Sequence, residues 1–175
     1  MEFTETQRLN LTWLYALLAI EALIIGVILF GGNYISWQEI EKAYFLPVFA
    51  LLAPLLIVPV IRNMKMVYRL NSEGIWYKAS FLISRQRTFS WSEIKSAYVR
   101  KFDALGEYGG WGIKHRLWFK RNDKAYIFNQ ENRGLQLELK DGRKLLFSTG
   151  KAAELELFLI NLKTRYGIKE IVDHA

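Results

Sequence analysis

Few residues of the 175-residue chain are spaced for catalysis. The two histidines, His115 and His174, stand 59 positions apart, and neither has a second His or a carboxylate at zinc-ligand spacing. No cysteine is present, which excludes a thiol nucleophile, thiolate metal ligands and a disulfide framework together. Gly150-Lys151 has the last two residues of a phosphate-binding loop. However, Leu145 stands where the first glycine belongs, and Ala152 replaces the Ser/Thr that would meet magnesium. No Gly-x-Ser-x-Gly elbow occurs. Asp103, Glu107 and His115 are the one acid–base set a fold could bring together, and a solvated loop is the simpler reading of them. No catalytic residue, metal or cofactor is expected.

Binding is a better fit to the residue types. Within Ala104–Gly112, four glycines fall in seven positions, more positive-φ freedom than a plain hairpin needs. Tyr108 and Trp111 place large amphipathic rings on that frame, a composition suited to partner contact. The expected binding set is Tyr108, Gly109, Gly110, Trp111 and Gly112 with Lys114 and Arg116. The competing reading makes Trp111 a core plug and the glycines a bulge. Arg100, Lys101, Lys120 and Arg121 extend the basic character around His115, and Trp118 and Phe119 add rings that could stack on bases. An anionic lipid surface uses the same charge more simply than nucleic acid, at ~1 kcal/mol per base near the surface.

Composition locates these residues along the chain. The hydrophobic fraction is 51% with 15% aromatics, which excludes a disordered polymer. Residues 1–61 carry two basic and five acidic side chains, whereas residues 62–175 carry 22 basic and 12 acidic ones. The front segment holds two apolar runs, Leu11–Phe30 with the single charge Glu21, and Tyr44–Ile61 with none. At 1.5 Å per residue each reads as a membrane span, and together as a transmembrane hairpin within residues 1–63. Arg8 before the first run and Arg62, Lys65 and Arg69 after the second predict both termini on the cytoplasmic side of an inner (plasma) membrane. The three basic residues would then face lipid head groups. Tyr34, Trp37 and Tyr44 suit an interfacial belt, and Ser36–Glu39 has capping-box spacing. Inside the expected bilayer, Glu21 would be protonated and donate to a carbonyl freed by Pro54, that of Ala50, or to a second copy.

From Met64 the period becomes alternating. Strands are expected near Met64–Leu70, Ile75–Ala79, Ile83–Phe89, Ile94–Arg100, Trp111–Phe119, Ala125–Asn129, Gly134–Lys140 and Arg143–Ser148. Arg121–Asp123 and Asp141-Gly142 read as turns. Leu155, Phe158, Leu159, Leu162 and Tyr166 recur at helical spacing, and Gly167 ends that helix. About seven antiparallel strands capped by a C-terminal helix over residues 64–167 form a small barrel or sandwich, followed by a tail, 168–175.

This order resembles the pleckstrin-homology superfold. Thr88-Phe89-Ser90-Trp91-Ser92-Glu93-Ile94 is similar to the strand–turn–strand signature of bacterial PH-like domains. Gly109-Gly110-Trp111-Gly112-Ile113 is similar to a motif in small membrane-anchored members. The resemblance implies a fold and a location, not a role. Phosphoinositide-binding members carry a basic loop where this chain has Asn71–Gly74, which contains an acid and no base. The resulting expectation is a membrane-anchored, non-catalytic interaction or scaffolding module. Its partners would be the lipid bilayer, anionic head groups and a membrane or cytoplasmic protein, with self-association open. The alternative is an accessory subunit of a membrane complex, assembled through the hairpin.

Overall fold

The computed structural model describes residues 1–9, 11–30, 45–80, 84–117 and 120–172. The chain divides into two compact units, one of Met1–Leu9 with Met64–Ala175 and the other of Asn10–Asn63.

The second unit contains α1 (Thr12–Phe30) and α2 (Phe45–Asn63). Among the described residues, no helix is long and apolar enough to cross a membrane. The transmembrane hairpin and the multi-pass inner-membrane placement are therefore corrected. Glu21 is a partly exposed side chain of α1 rather than an intramembrane acid. Pro54 lies within α2, with its side chain outside the described set, as are Ser36–Glu39, Tyr34 and Tyr44. Leu17, Ile20, Leu23, Ile24 and Val27 of α1 are all more than half exposed.

The first unit opens with a strand that the sequence reading missed. Strand β1 (Phe3–Arg8) pairs antiparallel with β2 (Lys65–Leu70), from Phe3 opposite Leu70 to Arg8 opposite Lys65. The helical unit is thus inserted at the tip of a β-hairpin, where the Leu9 amide donates to the Met64 carbonyl at 3.2 Å. β3 (Gly74–Ser80) and β4 (Ser84–Ser90) complete a four-stranded sheet in the order β1-β2-β3-β4. Asn71 Oδ1 accepts from the Glu73 and Gly74 amides to form the β2–β3 turn. A 3-10 turn at Trp91–Glu93 follows β4, with the Glu93 carboxylate accepting from the Ser90 amide at 2.9 Å.

The second sheet holds β5 (Ile94–Lys101), β6 (Gly112–Arg116), β7 (Lys120–Ile127), β8 (Arg133–Leu139) and β9 (Lys144–Ser148), in the order β5-β8-β9-β7-β6. β9 returns from β8 to lie beside β7, and that pair is parallel. Among the described residues the structure is thus α+β with nine strands in two sheets, one of them mixed. The expected all-antiparallel, roughly seven-stranded PH-like barrel is corrected on both counts, and the PH-like fold is not confirmed. Arg121–Asp123, expected as a turn, belongs to β7. Between β5 and β6 lies a short helix, α3 (Ala104–Tyr108), and α4 (Ala152–Tyr166) closes the unit.

The core follows from the strand period. Met66, Tyr68 and Leu70 of β2 and Ile75, Tyr77 and Ala79 of β3 point inward and are buried. Tyr77 meets Phe147 and Tyr126 of the second sheet at ring separations of 5.0 and 5.2 Å, and Tyr68 meets Phe147 at 5.7 Å. α4 buries Leu155, Phe158, Leu159 and Leu162, and Phe158 lies 5.7 Å from Phe3 of β1. Gly167 ends α4 at a φ of 66°, the left-handed conformation that glycine adopts without penalty. Ile168 and Ile171 of the expected tail are buried, and Ile171 bridges Ala97 of β5.

Candidate functional site: a basic cleft and the ion-pair network behind it

Strand β7 alternates between two polar systems. Asp123, Ala125 and Ile127 face one way, toward α3, while Lys124 and Tyr126 face the other.

The α3 side contains most of the residues the sequence singled out. Asp103 caps α3 by accepting from the Leu105 and Gly106 amides at 3.0 Å each. A Cβ at Gly106 would come within 2.6 Å of that carboxylate, so a larger residue there would displace the capping side chain. Gly109, Gly110 and Gly112 all have positive φ and carry the chain from α3 into β6. Tyr108 is not a presented ring but a buried one, 2% exposed. Its hydroxyl donates to Asp123 Oδ1 at 3.2 Å and accepts from Arg100 at 3.0 Å. Arg100 also holds Glu107 through two bonds of 3.0 Å, and its Nε donates to Gln136 Oε1 at 2.9 Å. Arg116 joins Glu107 at 3.2 Å to Asp123 at 3.3 Å. The binding residue expected in Arg116 is therefore engaged inside the protein. Lys114 is partly exposed on β6.

Titration in this network follows its geometry. Burial pushes the Glu107 carboxyl up, but hydrogen bonds from Arg100 and the Asp103 amide, with the charges of Arg100 and Arg116, outweigh it and hold the group below the ordinary carboxylate range. Burial and the Asp123 charge push the Tyr108 hydroxyl well above the ordinary tyrosine value, against the opposing charge of Arg100. Tyr108 therefore remains a donor. Two guanidinium groups and two carboxylates offset one another's charge in this network.

Trp111 packs, partly buried, against the cluster of Phe102, Ala104, Tyr108, Ala125, Ile127 and Leu146. A fully buried ring is worth ~3–5 kcal/mol, so Trp111→Ala should cost roughly half of that. Thermal melts should show a midpoint about 5–15 °C lower, with cooperativity kept. A midpoint within error of the parent would mean that the ring does not contribute to this core.

The opposite face of β7 opens into a cleft of about 150 Å³ bounded by β3, β4, β6, β7 and the start of β9. Arg87, His115, Arg121, Lys124 and Arg143 line it, together with Asn122 and Leu145, and among the described residues no carboxylate does. Its floor is the buried rings of Tyr77, Phe89 and Tyr126, with the Tyr77 and Tyr126 hydroxyls 3.2 Å apart. The Arg143 guanidinium lies 5.7 Å from the Phe89 ring centre and the Lys124 ammonium 5.2 Å from that of Tyr126. Such contacts hold flexible cationic side chains near one geometry. Arg143 is also tethered to Asp141 at 2.6 Å, and Asn122 donates to the Gly142 carbonyl at 3.1 Å. His115 turns to this side, with Nδ1 3.0 Å from the Arg121 carbonyl. The three residues weighed as an acid–base set are thus committed separately: Asp103 to a cap, Glu107 to two arginines and His115 to the cleft.

Sequence reading named His115 and Arg121 as basic neighbours but missed Lys124, on the same strand as Arg121, and Arg87 and Arg143 from two other stretches of chain. Trp118, Phe119 and His174 lie outside the described residues. A larger groove of about 490 Å³ lies along the four-stranded sheet. Its charges offset one another, since Arg69 sits 3.7 Å from Glu2 and 5.2 Å from the Trp76 ring centre, and Glu73 also lines it. Among the described residues, no group of three or more His, Asp or Glu is placed to hold a metal ion. No protein-family model matches the chain, and no curated protein is similar to it.

Proposed function

We propose that the chain is a non-catalytic interaction module whose sheet unit recognises an anionic group at the basic cleft. One observation carries the reading: five basic side chains line one small concavity, and among the described residues no carboxylate lines it. Behind α3, by contrast, basic and acidic side chains alternate in the Arg100–Glu107–Arg116–Asp123 network. Converging cations over a low-polarity floor focus field lines and attract anions.

Calorimetric titration of the full chain with phosphate, citrate and a poly-glutamate peptide tests this. At least one should bind with an affinity that falls as salt rises. Joint replacement Arg87→Gln, Arg121→Gln and Lys124→Gln should weaken that binding by more than about tenfold, as loss of charge-assisted hydrogen bonds requires. Equal binding by parent and triple variant would remove the cleft as the site. Failure of every anion to bind would remove the reading itself.

A second reading, a subunit held in a larger assembly through the helical unit, is favoured by the apolar exposure of α1. Leu23 is 67% exposed and Ile20 60%. Contiguous apolar surface of this kind marks interaction sites. Sedimentation of the full chain beside one lacking residues 10–63 checks it: association confined to the full chain supports assembly through the helices, and identical behaviour counts against it.

A further inference from the structure

Beyond the cleft, we infer that the outer edge of β5 is a docking seat for a short segment of a partner protein, filled here by the chain's own C-terminal residues. Ala97 makes both backbone bonds of the seat. Its amide donates to the Glu170 carbonyl at 2.8 Å, and its carbonyl accepts from the Val172 amide at 3.1 Å. The segment after α4 thus adds to β5 by one parallel bridge, Ala97 with Ile171. A turn at Lys169 and Glu170 separates Ile168 from Ile171; both isoleucines are buried, and Lys169 is exposed. Strand-adding peptides are held in the same way, with main-chain bonds for affinity and side-chain anchors for selection.

The edge is longer than the segment covering it. β5 is an outermost strand of its sheet, with β8 on its inner side. In an antiparallel pair, alternate residues turn both backbone groups away from the partner strand. Ala97 does so, and Val99, two positions on, therefore does the same. Among the described residues, no backbone bond reaches Val99 from outside the sheet. Unpaired groups on an outer strand are a template for another chain. The resident segment is attached lightly, by one bridge beyond a helix that Gly167 has already ended, so its release leaves α4 intact. A second copy offers only the same segment, which the tethered one outcompetes at an effective concentration in the ~mM range. A partner segment with branched aliphatic residues on either side of a two-residue turn makes the same contacts. Running on in the same parallel direction, it also pairs with Val99.

Ile171→Asp in the full chain should free the seat, because a buried site does not accommodate an unpaired charge. That variant should bind a labelled peptide of residues 168–175, and the parent should bind it at least about tenfold more weakly, since its tethered segment competes. A second peptide, two isoleucines around Asn-Gly followed by threonines, should bind the variant within about tenfold of the first. A third, with aspartate for the second isoleucine, should not bind. In the parent, the Ala97 amide should exchange at least about 100-fold faster than that of Tyr98, which faces Gln136 of β8, because local opening exposes only the former. Equal exchange at the two amides would make the C-terminal segment part of the cooperative fold and overturn the seat, whether or not the variant folds. A folded variant that binds neither isoleucine peptide would overturn it as well. Binding of the natural peptide but not the Asn-Gly one would restrict the seat to the chain's own segment and overturn the partner. A dimer of the parent that is lost in Ile171→Asp would assign the seat to a second copy, with the same consequence.

Discussion

Deletion of Met1–Leu9 from the full chain is expected to abolish cooperative folding of the sheet unit, with loss of its sharp thermal transition and dispersed amide resonances. β1 supplies one edge of the four-stranded sheet and three inward side chains, Phe3, Glu5 and Gln7, each under 8% exposed. Phe3 packs on Tyr68 and Phe158, and loss of such a ring costs ~3–5 kcal/mol. Glu5 is a buried carboxylate satisfied by neutral donors: the Tyr68 and Thr149 hydroxyls at 2.6 Å, the Gln7 amide at 2.7 Å and the Gly150 backbone amide at 2.9 Å. Burial and then the Glu5 charge push the Tyr68 hydroxyl far above the ordinary tyrosine value, so it stays protonated and donating. Without β1, Tyr68, Thr149, Ser148 and Gly150 lose partners, at ~1–3 kcal/mol for each group left buried and unpaired. The total approaches the whole ~5–15 kcal/mol stability of an ordinary domain. The converse variant removes residues 10–63 and joins Leu9 to Met64 through Asn-Gly, a pair suited to a two-residue hairpin. Because the Leu9 amide already meets the Met64 carbonyl, that chain should keep the sheet unit's amide spectrum. A folded chain lacking Met1–Leu9, or an unfolded one lacking residues 10–63, would contradict the insertion of the helices into a β-hairpin.

Arg100→Met is expected to cost about 3 kcal/mol, the lower end for breaking a buried ion pair. Methionine keeps much of the side-chain volume but leaves Glu107, the Tyr108 hydroxyl and Gln136 Oε1 without their shared donor. Arg116 still reaches Glu107, which limits the loss. The pH dependence distinguishes this effect from simple repacking. A carboxyl whose folded value lies below its unfolded one adds stability that is present above the unfolded value of ~4.5 and is lost as pH falls through the folded value. The parent should therefore lose Glu107's contribution only below about pH 4.5. In Arg100→Met burial is less opposed, the folded value rises, and the acid-induced fall in melting midpoint should shrink. Parallel midpoint-against-pH curves for the two proteins would show that Arg100 does not act through Glu107.

How much was legible depended on how local the cause is. Where apolar residues recur at one period, the element could be read directly: α4 from Leu155, Phe158, Leu159 and Leu162, and β2 from Met66, Tyr68 and Leu70. Turn chemistry was equally local, as at Asn71, at Ser90 with Glu93, and at Gly167. β1 escaped because its buried face is Phe3, Glu5 and Gln7, two polar residues at core positions whose partners lie far along the chain. The apolar runs showed where α1 and α2 would form, but composition alone overreached in making them membrane spans.

The candidate site illustrates the same division. Sequence by itself determined that the back half is basic, that cysteine chemistry is absent, and that the glycines around Trp111 require an unusual backbone. Only the tertiary structure decided which charges cancel. Arg100 and Glu107 are seven residues apart, as are Arg116 and Asp123, and neither spacing brings side chains together within one helix or strand. A helical turn at Ala104–Tyr108 and the β6–β7 register close both pairs. Parallel pairing of β9 with β7 then sets Lys124 opposite Leu145, next to Arg143, while β6 brings His115 opposite Lys124. Alternation along β7 decides the rest, because it sends Asp123 into the ion-pair network behind α3 and Lys124 into the basic cleft. One residue of register would exchange those two faces, and register is fixed by long-range packing that no local stretch of sequence encodes.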